Sequence, residues 1–154
     1  MTVQRKDSIS PSYWLTSIKD VEGSGSLSVL KELIHDRRIF VFGQRTPGRT
    51  RVAEGDWLCF YASQKGVVGS ARISSPMFES AEPIVRGGNK YTWTVNLDSV
   101  ETFPETPVVI DDGIRKQLDA YKGKRNSGQW SWFVQATRQI SKHDFELLSR
   151  RERV

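Results

Sequence analysis

The chain has 154 residues, of which 37% are hydrophobic and 27% are charged. This length suits one well-buried core and is short for two, and the composition argues against a wholly disordered chain. No apolar stretch approaches the roughly 18–20 residues that a membrane-spanning helix needs, so we expect no membrane association. Cys59 is the single cysteine, which excludes an intramolecular disulfide and favours a reducing, cytoplasmic location.

We expect one domain over residues 12–150, between a flexible N-terminal tail (residues 1–11) and a basic C-terminal tail (residues 151–154). The first eleven residues are polar and mixed in charge. They lack the apolar region of a secretory signal, so we interpret them as a loose tail.

The positive charge of the chain is concentrated in two segments without any acidic residue. The net charge is +5, and the isoelectric point of about 9.5 favours polyanionic partners. The acid-free segments span residues 39–53 and 120–143. The second segment also contains the aromatic residues Tyr121, Trp130, Trp132 and Phe133. Cations interleaved with flat rings suit a phosphate chain with a stacked base, although solvated loops beside a core strand have the same composition.

The first half of the chain predicts a strand, a helix and a second strand. Aromatic and β-branched residues favour a strand over Tyr13–Ile18. Leu27, Leu30, Leu33 and Ile34 recur at helical spacing, which predicts a helix over 27–36. A short apolar run at 39–42 predicts the next strand, and the glycines and proline of residues 43–51 predict a loop.

The central part predicts antiparallel strands. Strands at 57–62 and 67–73 flank a Lys65-Gly66 turn and form a hairpin. Residues 76–88 are irregular, with one possible short strand. Between Tyr91 and Leu97 the residues alternate, with Tyr91, Trp93, Val95 and Leu97 on one face, as in a half-buried strand.

The last third predicts two helices and one strand. Ile114, Leu118 and Tyr121 share one helical face, and residues 130–134 suit a last strand. Ser141 is a candidate N-cap of a C-terminal helix, with Asp144 three residues on and a staple between Ile140 and Phe145. These elements predict an α+β fold: a bent sheet or pseudo-β-barrel of five to six mostly antiparallel strands with peripheral helices.

Several short motifs in this order resemble the EVE domain family. They cover residues 12–149 and comprise Tyr13-Trp14-Leu15, Phe42-Gly43-Gln44-Arg45, Gly55-Asp56 with Phe60-Tyr61-Ala62-Ser63, Val67-Val68-Gly69-Ser70-Ala71, Trp130-Ser131-Trp132, and Arg138-Gln139-Ile140 with Asp144-Phe145. No single motif is specific, whereas their order and spacing together are. EVE domains belong to the PUA-like superfamily, with the YTH, ASCH and SRA domains as relatives.

This resemblance implies a PUA-like pseudo-barrel that binds RNA or DNA, often with a modified, methylated base in a pocket. The chain departs from the family in its arginine-rich loop at 46–51, which leaves the preferred base open. No cofactor is implied.

An aromatic pocket with a basic rim needs flat walls, a polar floor and cationic edges. Trp14 and Trp132 are the preferred walls, with Tyr61 as a further candidate. Trp93 and Trp130 remain alternatives, and a core of this size also uses large aromatic residues. The candidates for hydrogen bonds to base edges are Ser17, Ser63, Gln44 and Asn126. A serine that ends a strand and bonds to the backbone is the alternative for Ser17 and Ser63.

Phosphate contacts are predicted from the basic residues of the two acid-free segments, namely Arg45, Arg49, Arg51, Lys124 and Arg125. Such contacts would contribute affinity and salt dependence rather than base choice. A solubilising loop is the alternative for the three arginines.

The sequence contains no strong catalytic or metal-binding motif. His35 and His143 lack a metal-ligand spacing partner, and Cys59 is expected to be a small core residue. Asp56 is expected to cap a turn. We therefore expect no catalysis and no metal. Two alternatives stay open: a metal-independent ribonuclease resembling ASCH domains, using Tyr61 with Arg45 or Lys65, and a protein-interaction adaptor that presents the basic face to an acidic partner.

Overall fold

The computed structural model describes residues 11–18, 26–42, 51–79, 93–122, 131–134 and 137–150. Seven strands form one curled, mixed sheet that closes into a half-barrel with a few helices. In chain order the strands are β1 (Tyr13–Ile18), β2 (Ile39–Phe42), β3 (Trp57–Ala62), β4 (Gly66–Ile73), β5 (Phe78–Glu79), β6 (Trp93–Thr102) and β7 (Arg138–Ile140). The α+β bent sheet predicted from the sequence is confirmed.

The spatial order of the strands is β2-β6-β4-β3-β1-β7, and β5 pairs with β6 beside β2. Among the described strands, every pairing is antiparallel except that of β1 with β3. These two run parallel in a register that places Trp14 beside Leu58 and Ser17 beside Tyr61. β1 therefore lies between β7, which comes much later in the sequence, and its parallel neighbour β3. This arrangement makes β1 and β7 one border of the sheet.

Each face of the sheet carries its own hydrophobic core. The first core contains Trp14, Ile18 and Phe60 from the strands, and Leu30 and Ile34 from the first helix. Fully burying a side chain of this size contributes about 1.5–3 kcal/mol. The helix begins as an α-helix at Ser26–Val29 and continues with π-helical hydrogen bonds over Leu30–Asp36. The helix predicted at 27–36 is confirmed, and its buried leucines are those that the spacing selected.

The second core lies on the opposite face of the sheet. It contains Tyr13, Leu15 and Tyr61 from the strands, and Phe145 and Leu148 from the C-terminal helix. The rings of Tyr13 and Phe145 lie 5.1 Å apart between centroids. Because alternate residues of β1 enter different cores, the two faces of this strand are equally apolar.

The second predicted helix is interrupted. It spans Asp112–Gln117, Leu118 adopts an extended conformation, and a 3₁₀ turn follows at Asp119–Tyr121. The prediction of one continuous helical face through Tyr121 was therefore wrong. The backbone N–H groups of Asp119 and Ala120 donate to the Asp144 carboxylate rather than to the preceding helix, at 2.6 and 3.0 Å.

The strand predicted at 130–134 was also wrong for the described residues. Residues Ser131–Val134 form a 3₁₀ turn, and the last strand is instead Arg138–Ile140. The turn buries Phe133 against Tyr121, with ring centroids 5.4 Å apart. The apolar residues of this segment thus reflect one buried ring rather than pairing in the sheet.

The C-terminal helix spans Lys142–Ser149, and its predicted N-cap is confirmed. The Ser141 hydroxyl oxygen accepts a hydrogen bond from the Asp144 backbone N–H at 3.1 Å. Ile140 and Phe145 are both buried in the second core, as the predicted staple requires. Among the described residues, no helix is both long and apolar enough to cross a lipid bilayer.

We predict that Gly66→Ala will destabilise the β3–β4 hairpin strongly. Gly66 has φ +130°, and an added Cβ would lie 2.4 Å from the Val108 carbonyl oxygen. Strain and steric overlap together should lower the free energy of unfolding by about 2–5 kcal/mol. Urea denaturation followed by circular dichroism measures this loss.

Gly55→Ala is the matched control. Gly55 also has a positive φ of +95°, but nothing lies within 4 Å of an added Cβ. This variant should lose only the backbone contribution, about 1 kcal/mol. Equal losses in the two variants would show that close approach to Val108 contributes nothing.

Candidate functional site

The Asp56 carboxylate fixes the orientation of Trp14. Asp56 is 6% exposed and accepts three hydrogen bonds: from Trp14 Nε1 at 2.9 Å, from the Ser12 backbone N–H at 3.0 Å, and from the Ala53 backbone N–H at 3.0 Å. The bond from Ala53 caps the turn, as predicted. The other two tie that turn to the start of β1, so the indole ring has one orientation.

A cationic side chain covers the ring of Trp14. The guanidinium carbon of Arg51 lies 5.5 Å from the ring centroid, and the Arg51 side chain is exposed. Its Nη2 donates to Gln139 Oε1 at 3.0 Å. A cation over an aromatic ring at an exposed site contributes about 0.5–1 kcal/mol, so this contact is weak compared with the burial of the ring. With Arg51 in place, Trp14 is only 2% exposed.

The contact between Arg51 and Gln139 joins the two acid-free segments. Arg51 lies in the first and Gln139 in the second, 88 residues apart in the sequence. Gln139 is on β7 opposite Trp14, whereas the exposed Arg138 pairs with Leu15 and points to the other face of the sheet. The acidic residue that contacts Trp14, Asp56, is buried, and its carboxylate accepts hydrogen bonds from three N–H groups. The border of the sheet therefore presents positive charge next to an indole ring.

The second acid-free segment is also fastened to the other end of β1. The Ser17 hydroxyl donates to the Val134 carbonyl oxygen. The hydroxyls of Thr16 and Thr137 are hydrogen-bonded at 2.8 Å and buried. We refer to β1, β7, Arg51 and the 3₁₀ turn at Ser131–Val134 as the β1–β7 border.

The structure brings Ser17 close to Tyr61 and to the backbone turn that carries Trp132. Ser17 and Tyr61 are neighbours in the β1–β3 register, and Val134 accepts from Ser17. The side chain of Trp132 lies outside what the structure describes. Ser17 is half-buried and uses its hydroxyl on a backbone carbonyl, which was the alternative to base contact. Its observed role is to position the turn.

The structure does not place all the predicted pocket residues on one face. Trp14 enters the first core, whereas Tyr61, 7% exposed, enters the second. Residues an odd number apart along a strand point to opposite faces, so Ser17 also faces away from Trp14. Ser63 is exposed in the turn after β3. The sheet therefore does not provide one pocket with Trp14, Ser17 and Tyr61 as joint walls. Contact of each of these residues with a base stays a prediction.

Several predicted contacts lie outside the described residues: Gln44, Arg45, Arg49, Lys124, Arg125, and the alternatives Asn126 and Trp130. Of the phosphate-binding set, Arg51 is the member that the structure describes. Trp93 packs against the first core, as expected for a core residue.

The structure shows a cluster of ionisable groups that the sequence did not reveal. Ligand atoms of Asp119, His143 and Asp144 lie within 4.8 Å of one another. Asp119 is far from the other two in the sequence, so metal-ligand spacing gave no signal. Both Asp144 oxygens accept backbone N–H groups of the 3₁₀ turn, and His143 Nε2 lies 3.0 Å from the Gln117 carbonyl oxygen.

The environment shifts the pKa values of the Asp119 and Asp144 carboxyls in opposite directions. Burial raises the pKa of Asp144, although the two backbone N–H groups oppose this shift. The Ser141 hydroxyl and the Lys122 ammonium lower the pKa of Asp119. Ser141 Oγ donates to Asp119 Oδ2 at 2.7 Å. The cluster in this geometry fastens the 3₁₀ turn to the start of the C-terminal helix.

Cys59 is fully buried in the second core, which confirms it as a core residue. Burial raises the pKa of its thiol far above the usual range, and the nearby charge of Asp144 adds to the shift. Because the thiolate is the reactive form, this cysteine is unsuited to nucleophilic catalysis.

The fold is shared with a solved structure of low sequence identity, and a second solved structure aligns more weakly. The NMR structure of Rpa0253 from Rhodopseudomonas palustris aligns with a TM-score of 0.53 and 15% identity, over 89% of this chain and 90% of that one. The crystal structure of Atu2648 from Agrobacterium tumefaciens gives a TM-score of 0.43 and 11% identity, over 90% and 91%. No protein-family model matches the sequence, and no curated protein matches it significantly. The comparison with Rpa0253 supports the half-barrel architecture.

We predict that Asp56→Asn will destabilise the protein by about 2–4 kcal/mol. An amide in this position presents an NH₂ group to N–H donors and leaves buried groups unpaired. Chemical denaturation measures the loss, and the indole N–H resonance of Trp14 should shift. Glu54→Gln, an exposed change of the same type in the same turn, should stay within about 0.5 kcal/mol. Similar losses for both would contradict the role of Asp56.

We predict that Ser141→Ala will raise the pKa of Asp119 towards the usual range for aspartate. Since the folded-state pKa is lowered, ionised Asp119 contributes stability that is present above the unfolded pKa and lost as the pH falls through the folded value. The acid-side loss of stability below about pH 4 should therefore become shallower in the variant. NMR titration of side-chain carboxyl carbons measures the shift. Ser141→Thr, which keeps the hydroxyl, should retain the low pKa.

Proposed function

We propose that this chain is a non-catalytic nucleic-acid-binding domain of the EVE type within the PUA-like superfamily. It holds one base, modified by methylation, against an aromatic ring with a basic rim. The observation that carries the proposal is the Arg51–Gln139 hydrogen bond, which joins the two acid-free segments directly beside Trp14. The proposed partner is RNA or DNA.

The charge pattern of the β1–β7 border supports a polyanionic ligand. Arg51 is exposed on the face of Trp14, Arg138 is exposed on the other face of the same border, and Lys142 follows at the start of the C-terminal helix. Basic side chains that neutralise phosphates release counterions, so affinity falls steeply with salt. Positive charge of this kind supplies affinity, whereas the ring beside it supplies the contact with a base.

The aromatic ring supports recognition of an unpaired or flipped base. Stacking on an aromatic side chain contributes about 1–3 kcal/mol per base, which is comparable to the few kcal/mol needed to take a base out of a duplex. Trp14 is 2% exposed with the exposed side chain of Arg51 over its ring, so a base contacts the ring only when Arg51 moves aside. Asp56 holds the indole in place, so the ring itself needs little ordering when a base arrives. Trp132 stays the candidate for a second wall on the basis of the sequence.

Binding is favoured over RNA cleavage. The ribonuclease alternative depends on Tyr61, whose side chain is 7% exposed and packed in the second core. A general acid or base must come within hydrogen-bond reach of its substrate, and this position gives little access. Lys65, which the ribonuclease alternative pairs with Tyr61, is exposed in the turn after β3.

The test is fluorescence anisotropy with short labelled RNA and DNA oligonucleotides, unmodified or carrying methylated cytosine or adenine, over a range of salt. We expect submillimolar binding, tighter for one modified base. Arg138→Ala should weaken binding of all sequences alike and reduce the slope of log affinity against log salt by about one.

Lys31→Ala is the control for net charge. Lys31 is exposed, and its helix packs against β2 and β6, at the opposite border of the sheet. This variant should leave affinity and salt slope unchanged. Absence of binding to every oligonucleotide would refute the proposal. Equal binding of modified and unmodified bases would favour the adaptor, and cleavage of RNA by the pure protein would favour the ribonuclease.

A further inference from the structure

We propose that the Arg51 guanidinium occupies the base-stacking face of Trp14 in the free protein and moves onto a phosphate of the ligand when a base enters. This inference rests on the proposed function and specifies how its site is opened. The ligand class is a nucleotide whose base is planar and uncharged and whose phosphate lies next to that base.

The geometry shows a flat cationic group already positioned over the ring of Trp14. The guanidinium carbon lies 5.5 Å from the centroid of the indole ring. A guanidinium is planar and delocalised and stacks on aromatic faces much as a nucleobase does. A base that contacts this face of the ring must therefore take the place of Arg51.

The hold on Arg51 is weak, which makes exchange possible. Its side chain is exposed, and its Nη2 donates to the neutral amide of Gln139 at 3.0 Å. Within the described parts of the chain, no carboxylate forms an ion pair with Arg51. A guanidinium binds a phosphate through charge-assisted, often bidentate hydrogen bonds, which are stronger than one bond to an amide. The phosphate of an incoming nucleotide is thus the better partner.

The ring itself stays in place during the exchange. Trp14 Nε1 donates to Asp56 Oδ2 at 2.9 Å, and the backbone of Trp14 is paired on both sides, with Leu58 on β3 and Gln139 on β7. The side chain that moves is therefore the exposed one, Arg51, and the side chain that stays in place is the buried one, Trp14. A phosphate-free nucleoside must compete with Arg51, whereas a nucleotide gives Arg51 a new partner.

The experiment uses the full chain and three substitutions of one exposed residue, titrated with nucleosides and their 5′-monophosphates. The bases are cytosine, 5-methylcytosine, adenine and N6-methyladenine. Binding is followed by the indole N–H resonance of Trp14, which is assigned by its loss in Trp14→Phe. In the unsubstituted protein the monophosphate should bind more tightly than the nucleoside.

Arg51→Ala removes both the cover and the charge. Nucleoside affinity should rise roughly two- to fivefold, the factor that an exposed cation–π contact corresponds to. The advantage of the monophosphate should disappear. Arg51→Lys keeps the charge without the planar group, so nucleoside affinity should rise while the monophosphate advantage remains.

Arg51→Gln keeps a planar group that can bond to Gln139 but removes the charge. Nucleoside affinity should stay low, and the monophosphate advantage should be lost. The opposite behaviour of the lysine and glutamine variants separates cover from charge. Thermal unfolding checks that all three are folded.

Unchanged nucleoside affinity in both Arg51→Ala and Arg51→Lys would overturn the inference, as would failure of any nucleoside to move the Trp14 resonance. Oligonucleotide binding by anisotropy with a motionless Trp14 resonance would refute the inference and leave the proposed function standing. Absence of oligonucleotide binding would refute both.

Discussion

A buried carboxylate joins the turn before β3 to the beginning of β1 and aligns the indole of Trp14. Asp56 accepts the indole N–H and two backbone N–H groups, so three N–H donors compensate the charge of its carboxylate. Hydrogen bonds to a charged acceptor are stronger than neutral ones, and removal of a buried acceptor leaves its donors unsatisfied. The position of Arg51, a few residues before Asp56, follows from this anchor. Without it, the two acid-free segments would lack a defined meeting point.

A second buried carboxylate organises the opposite face of the sheet. Asp144 takes the backbone N–H groups of Asp119 and Ala120, and thereby ends the second helix and fastens the following turn to the C-terminal helix. Its pKa is raised because burial outweighs the two hydrogen bonds. The protein thus uses one aspartate on each side of the sheet to hold an irregular segment.

Much of the fold could be predicted from the sequence, because local patterns determine it. The strand at Tyr13–Ile18, the hairpin after Asp56 and the N-cap at Ser141 all follow from composition, turn residues or capping chemistry. The break at Leu118 could not be predicted, since its cause, Asp144, is distant in the sequence. The 3₁₀ turn after residue 130 was missed for a similar reason. Its apolar residues look like a strand unless one knows that Phe133 has a partner in Tyr121.

The candidate site was harder to predict than the fold. β1 and β3 are buried on both faces, so their residues do not alternate between polar and apolar, and the sequence cannot show which face Trp14 or Tyr61 occupies. Composition did identify the acid-free segments. Their meeting through Arg51 and Gln139 depends on the pairing of the first strand with the last, which no local pattern encodes.

That pairing has a consequence for the order in which the protein matures. Strand β1 is synthesised well before the residues that complete its outer border, Arg138–Ile140. Contacts between distant residues close slowly because of the entropy of the intervening loop. Until Arg138–Ile140 have been synthesised, β1 has an unpaired apolar edge of the kind that pairs with other chains. A chain that ends before Arg138 is consequently expected to leave this edge of β1 unpaired and to aggregate.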